Sequence, residues 1–444
     1  MLYDISLHAK DVIPAWADCV CGIPAKLANG EEVKIPVLES TNVLTVGVTG
    51  TGKTKSYTLP AAKRLLSTNP TMKGVFFETK RTFLDTFMQE NDKVIAYDPT
   101  LVPTRNLFQW CLIKEVRQAR DKEAEMMQIA EALFNDLLVD AHQNKAWVAS
   151  ARNTFIAVLR RIVDCSSENT TNYDLINGLR NMSINELLAY IYQHPRNRSL
   201  LKKDFNYEAN QKDAYIPTRR ATDVMFFFNS VLETFGGAFE SKGQDTIHDY
   251  LHGTSEYGRN LFLVHDLATA ESSRPFILYF LKKIKDEKMS LSSTIKEPML
   301  WCMDEADKLS DSGKAADFGI FQAATLGREY GLQIVLTTQS IENLYGLGPG
   351  FNEFIARGGL SGFPVLLSFR PGDATTISTL QTLFGSRRHD ITTMPLSRYD
   401  HPTVKSEIEP VVSEADFAEL DTGEAYIKIK SAPPQKVSIM LEEC

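Results

Sequence analysis

Between Gly47 and Thr54 the chain reads Gly-Val-Thr-Gly-Thr-Gly-Lys-Thr, the GxxxxGK[ST] spacing of a phosphate-binding loop. The chemistry this spacing suits is nucleotide binding. Glycines let successive backbone N–H groups turn inward, so Gly47, Thr49, Gly50, Thr51 and Gly52 would line a cradle for phosphate oxygens. A helix starting at the end of the loop adds a favourable dipole. Lys53 would set a positive charge on the β- and γ-phosphates of ATP, and the Thr54 hydroxyl would coordinate Mg2+. Far downstream, Pro298-Met-Leu-Trp-Cys-Met-Asp304-Glu305 is an apolar run that ends in two carboxylates. Asp304 is expected to hold Mg2+, and Glu305 to polarise the attacking water as general base. A third run, Leu332–Thr338, ends in Gln339-Ser340, which would put Gln339 near the γ-phosphate, where it can sense hydrolysis. Just before it, Gly327-Arg328-Glu329-Tyr330 closes a helix expected over Ala315–Leu326. Arg328 is either a partner for that helix's C-terminal dipole or a finger offered to a neighbouring subunit's nucleotide.

Other spacings carry less. His248-Asp-Tyr-Leu-His252 has the i, i+4 histidines of a helical zinc site, but Asp stands where the metalloprotease motif has Glu. No third ligand is evident, so the pair is expected to be helix-surface histidines. Cys19 and Cys21 have no partner pair for a zinc knuckle. Trp110, Trp147 and Trp301 are expected in the core.

Elements that would position the first group can be read from the hydrophobic pattern. Short apolar runs at Val43–Gly47, Gly74–Glu78, Val94–Asp98, Asn260–Asp266, Pro298–Asp304, Leu332–Thr338 and Pro364–Phe369 end at turn or acidic residues, as buried strands of an α/β sheet do. Gly423–Lys430 and Lys436–Leu441 read as a closing hairpin. Between them the period changes. Glu115–Asp140, Trp147–Val163, Ile184–Tyr192 and Asp223–Phe235 follow helical spacing. The expected organisation is an α/β nucleotide-binding domain over 43–105 and 260–444, with a central, mostly parallel sheet. An all-helical insertion over 106–259 interrupts it. Residues 1–42 are expected to be irregular apart from a short strand near Glu32–Val37.

Composition excludes several classes. The 444 residues carry a net charge of −8, which argues against a binder held to nucleic acid mainly by its overall charge. At 43% hydrophobic and 23% charged the chain is globular, not disordered. No apolar run reaches the roughly 18 residues of a membrane span. The N-terminus lacks the layout of a signal peptide. The six scattered cysteines are expected to be reduced thiols of a cytoplasmic protein.

Taken together the motifs resemble the coupling-protein ATPases of type IV secretion and conjugation (the TraG/TraD type), relatives of the FtsK and HerA DNA translocases. The resemblance runs from about Val43 to the end. Pro60 follows Lys53 by seven residues, as in that family. Tyr97-Asp98-Pro99 and Asn106-Leu107-Phe108 match its approach to the insertion, and Trp147-Val-Ala-Ser-Ala-Arg152 is similar to its Trp-x-x-Ser-Ala-Arg. Gly327-Arg328 and Gln339-Ser340 are similar to its third motif. One motif departs: Glu78-Thr79-Lys80-Arg81 stands where the family has Asp-Pro-Lys-Gly-Glu, which leaves the roles of Glu78 and Lys80 open.

The resemblance implies a RecA-like P-loop fold and a homohexameric ring that hydrolyses ATP with Mg2+. It implies single- or double-stranded DNA in the channel, a relaxase or secreted substrate as cargo, and contact with type IV secretion channel components at the membrane. It favours Arg328 as a finger acting on the neighbour and Gln339 as the sensor. Family members usually carry N-terminal membrane helices, and this sequence shows none. A cytoplasmic protein is therefore expected: a naturally soluble member, one recruited to the inner face of the membrane through a partner, or a soluble portion of a longer protein. Arg160-Arg161, Arg196, Arg198, Lys202-Lys203 and Arg219-Arg220, with Tyr207, Tyr215 and Phe226–Phe228 among them, could line a DNA channel or be solvated faces. Two other readings stay open: a HerA- or FtsK-like translocase for repair or segregation, and an ATP-gated receptor that gathers substrates without pumping them.

Overall fold

The computed structural model describes residues 22–37, 41–208, 215–253, 257–291, 293–295, 297–348, 358–393 and 403–440. Cys19, Cys21, Leu441 and Cys444 lie outside them. Among the described residues the cysteines form no disulfide, Cys111 and Cys302 being buried and Cys165 exposed. The chain forms two compact units, one running up to Phe76 and resuming at Glu297, the other Phe77–Lys296.

The first unit opens with a hairpin, β1 (Gly22–Leu27) and β2 (Glu32–Pro36), paired Ala25 to Val33. β2 is the short strand expected near Glu32–Val37, and β1 corrects the expectation of an irregular segment before it. Ile23, Ala25, Leu27, Val33 and Ile35 alternate onto one buried face, while Glu32 and Lys34 face outward. Next, β3 (Val43–Val46) is buried throughout and delivers the glycine-rich loop. A π-helical turn, Lys53–Thr58, leads into α1 (Leu59–Thr68), whose second residue is Pro60. Pro60, with no N–H to donate, stands where the hydrogen-bond ladder changes from the π-helical turn, in which Leu59 N–H reaches Thr54 O, to the α-helix. Then β4 (Lys73–Glu78) carries the chain from the first unit into the second.

In the second unit Glu78 has a structural role. Its carboxylate accepts the N–H groups of Phe83 (2.7 Å) and Leu84 (2.8 Å), satisfying the start of α2 (Thr82–Phe87). The parallel pair β5 (Lys93–Ile95) and β6 (Asn260–Val264) brackets the helices α3 (Leu112–Gln118), α4 (Lys122–Asp140), α5 (Lys145–Cys165), α6 (Asn172–Arg180), α7 (Ile184–Tyr192), α8 (Arg198–Phe205), α9 (Arg219–Thr234) and α10 (Ile247–His252). The single helical run expected over Glu115–Asp140 is two helices, because Asp121 caps a new N-terminus at Ala124 N. After β6 comes α11 (Ala270–Met289).

The division into units falls outside the composition changes at 106 and 259, and α11 shows why. Trp110 packs edge-on against Phe276 and Phe280, and Tyr279 donates to Glu125 at 2.6 Å. Lys283, 4% exposed, pairs with Glu125 and with Glu287. Burial alone would lower the Lys283 pKa, but Glu115, Glu125 and Glu287 more than offset it and hold the ammonium charged. Glu125→Ala is therefore expected to destabilise this unit by about 3 kcal/mol, since a buried charge loses its closest partner. Urea unfolding of the purified variant against wild type measures it, and a change under about 0.5 kcal/mol, the size typical of surface substitutions, would rule this role out.

The first unit resumes with β7 (Met299–Asp304), α12 (Ile320–Leu326), β8 (Leu332–Thr338), α13 (Ile341–Tyr345), β9 (Val365–Ser368), α14 (Ala374–Phe384), the hairpin β10 (Ser386–Thr393) and β11 (Thr403–Pro410), α15 (Glu414–Ala418), β12 (Glu424–Ile429) and β13 (Gln435–Ile439). Its main sheet has the order β2-β1-β13-β12-β9-β3-β8-β7-β4. β3 lies parallel between β8 and β9, and β7 is parallel to β8. The strands from β9 outward through β12, β13, β1 and β2 pair antiparallel, and β12 with β13 forms the expected closing hairpin. α12 starts later than expected, at Ile320, because Gly319 (φ +80°) turns the chain there. Buried Asn42 pins the sheet's lower edge, donating to Ala324 O and Gly362 O and accepting from Ile334 N.

Candidate nucleotide site

Parallel strands end at one edge of a sheet, so the loops after β3, β7 and β8 converge. The glycine-rich loop needs its glycines for space as well as for dihedral angle. A Cβ on Gly47 would stand 2.8 Å from Phe369 Cβ, and one on Gly52 (φ +97°) would stand 2.9 Å from Ser56 Oγ. Lys53 is only 6% exposed; its ammonium donates to Gly47 O and, at 2.9 Å, to Val48 O. The lysine is thus drawn back onto the carbonyls of its own loop. Thr51 closes that loop by donating to Val48 O at 2.8 Å.

Thr54 and Asp304 meet directly. Thr54 Oγ1 lies 3.0 Å from Asp304 Oδ2 and 3.2 Å from Oδ1. Neighbouring oxygens around an octahedral Mg2+ with bonds of about 2.0–2.1 Å stand roughly 2.9 Å apart, so this pair has the spacing and the oxygen chemistry the ion requires. Glu305, 8% exposed, has φ +54°, a left-handed conformation that is strained for a residue with a Cβ. Its Oε1 accepts a hydrogen bond from Gln339 Nε2 at 3.1 Å. Four of the expected residues are thereby linked in two pairs, Thr54 with Asp304 and Glu305 with Gln339.

Arg328 is not part of this cluster. It lies in the 3-10 turn Gly327–Tyr330 after α12, is exposed, and its guanidinium makes no hydrogen bond or ion pair among the described residues.

Two positions escaped the sequence reading. Gly423 (φ +86°) leans on the loop, its N–H donating to Thr51 O at 3.0 Å. No local signal could have found it, because the contact is made only when β12 reaches the sheet. Asp307 carries a signal that could have been read, a third carboxylate two residues after Glu305. Its buried Oδ2 accepts from Asn343 Nδ2 at 3.1 Å, and burial pushes its pKa up. It thereby fastens the segment after Glu305 to α13.

The basic residues of the second unit fare unevenly. Arg160 is locked bidentately on Glu123, both bonds 2.7 Å, and Arg220 donates from Nη2 to Asp204 Oδ1 at 2.7 Å. Arg196 and Lys202 pair with Glu123 and Glu208. Tyr207 and Tyr215 are buried against each other, which removes them as stacking platforms, and of the phenylalanines Phe226 is the exposed one. Lys203 and Arg219 are exposed and unpaired among the described residues. Trp110 and Trp301 are fully buried, and Trp147 is half-buried.

Fold and site define a P-loop NTPase of the RecA-like α/β class. The sequence profile of the type IV secretion-system coupling protein DNA-binding domain matches residues 33–440, and the chain belongs to that family. Its fold is similar to that of the bacterial conjugative coupling protein TrwBΔN70 in its unbound form (TM-score 0.67, 18% identity, 95% of this chain and 89% of that one). TrwB in complex with the ATP analogue ADPNP gives TM-score 0.65 at 18% identity over 93% and 88% of the two chains. VirB4 of Thermoanaerobacter pseudethanolicus is more distant, with TM-score 0.54 at 14% identity over 96% and 98%. No curated protein sequence matches.

Proposed function

We propose that this chain is the ATP-hydrolysing coupling protein of a conjugation or type IV secretion apparatus, acting as a homohexameric ring that moves DNA or a relaxase–DNA conjugate. The observation that carries the reading is the paired placement of Thr54 with Asp304 and Glu305 with Gln339. Backbone N–H groups of the loop from Gly47 to Gly52 bind the phosphates, and Lys53 leaves its carbonyl partners for the β- and γ-oxygens. Thr54 and Asp304 hold Mg2+, which when bound neutralises phosphate charge. Glu305 takes the proton of the attacking water, and Gln339, bonded to it, registers loss of the γ-phosphate. Arg328, exposed and without a partner among the described residues, is offered to the adjoining subunit's nucleotide. Solved TrwB complexes with ADP and Mg2+ and with the GTP analogue GDPNP support the cofactor assignment.

For DNA, exposed Lys203 and Arg219 and the family description support backbone-directed contact repeated around the ring. We read residues 106–259 as the insertion that bears it. Internal pairing of Arg160 and Arg220 favours a second reading, in which the insertion gathers a relaxase or secreted protein without pumping DNA. Among the described residues no helix is long and apolar enough to cross a membrane. We place the protein at the cytoplasmic face, tethered through secretion-channel partners.

The test is ATP turnover of the purified chain with and without single- and double-stranded DNA, together with its mass in solution. DNA-stimulated turnover in a ring is the expected result. Slow turnover indifferent to DNA, with tight relaxase binding, would replace the pump by the receptor. Duplex movement with no secretion partner would instead point to a segregation or repair translocase. Separately, Asp304→Asn is expected to raise the Mg2+ concentration for half-maximal turnover by about 10–100-fold. An unchanged Mg2+ titration would remove Asp304 from the ion's site.

A further inference from the structure

His248 and His252 lie one turn apart on α10, with ring centroids 4.2 Å apart. The third group absent from the local sequence comes from α11. Glu287 stands beside them, and one ligand atom from each of the three residues lies within 4.8 Å of the other two. Ligand atoms around a tetrahedral zinc ion, with bonds of about 2.0–2.1 Å, stand roughly 3.3 Å apart. Closing from the observed spacing takes side-chain adjustments of about 1 Å, which the half-buried His248 and Glu287 and the exposed His252 can make.

The orientations favour a shared ion. His252 Nε2 faces Glu287 Oε2 at 3.5 Å, while its Nδ1 is 3.2 Å from Thr294 Oγ1. A ligating histidine ordinarily has its second nitrogen held in this way, which fixes the ring. Glu287 is held in turn: its Oε1 lies 3.0 Å from Lys283 Nζ, which leaves Oε2 on the histidine side. An ion pair between His252 and Glu287 would account for those two residues alone. It does not account for His248, which is set against the His252 ring with a buried Nδ1 that has no hydrogen-bond partner among the described residues.

We propose that His248, His252 and Glu287 bind a divalent transition metal ion of the zinc class, separate from the nucleotide site, and that the ion clamps α10 to α11. Two imidazoles and one carboxylate suit zinc and its neighbours, whereas magnesium and calcium take oxygen ligands. Three protein ligands leave a fourth position for water.

The experiment uses the full chain, stripped with a chelator and titrated with Zn2+ against a competing indicator. One equivalent is expected to bind in wild type and in Asp304→Asn, whose nucleotide-site carboxylate is gone. His252→Ala and Glu287→Gln are each expected to weaken that equivalent by about 10–100-fold. Co2+ in place of Zn2+ should give the intense visible absorption of a tetrahedral site, absent in His248→Ala. Zn2+ should raise the thermal unfolding midpoint of wild type but not of His252→Ala; the exposed position of His252 makes misfolding of that variant a minor concern. Failure of wild type to retain an equivalent, or retention undiminished in the His252 and Glu287 variants, would overturn the proposal.

Discussion

Neither Lys53→Ala nor Glu305→Gln should turn over ATP at a useful rate, and the two should fail differently. The Lys53 ammonium is buried on Gly47 O and Val48 O, inside the loop that would hold the phosphates. Removing it takes away the point charge on the β- and γ-oxygens, so nucleotide binding is lost together with turnover. Glu305 lies past the end of β7, outside the loop's own backbone, and accepts from Gln339. Its loss removes a general base and leaves the phosphate cradle in place. Turnover is expected to fall by about 10²–10⁴-fold while nucleotide affinity stays within a few-fold of wild type. Phosphate release and equilibrium binding of a fluorescent ATP analogue, measured on the same preparations, separate the two outcomes. A Glu305→Gln chain that hydrolyses ATP normally would mean that another group activates the water.

Arg328→Ala should lower turnover of the proposed ring by about 10³–10⁵-fold, the range in which an arginine finger contributes, with nucleotide binding retained. The structure explains why this residue is separate from the rest. It is exposed on a 3-10 turn, and no acid or carbonyl among the described residues holds its guanidinium. A group that serves its own subunit's nucleotide would be oriented by its own subunit. Mixing tests this directly. Arg328→Ala subunits keep an intact site, and Lys53→Ala subunits keep an intact arginine. Mixed rings should regain part of the lost turnover wherever the two meet in the right order. Mixed rings as inactive as either parent would place the arginine's action within its own chain or remove it altogether.

The residues proposed to bind phosphate and metal are written in short, contiguous patterns. Gly47 to Thr54 is legible because a phosphate cradle is built from consecutive backbone groups, and consecutive groups leave a consecutive signature. Asp304, Glu305 and Gln339 are legible because parallel strands end at one sheet edge, so a polar residue after an apolar run has a predictable address. The buried strands and the helical period of the second unit follow from the same periodicity. Tertiary structure decided the rest. Gly423 supports the loop from the far end of the chain, Glu287 reaches the two histidines from another helix, and Glu123 and Asp204 neutralise arginines that look free in sequence. The hairpin of β1 and β2 is a sheet element because β13 offers it an edge. Each of these depends on which elements pack together. Packing is set by shape and by the burial of charge, and neither leaves a mark within the few neighbouring residues that a local pattern can report.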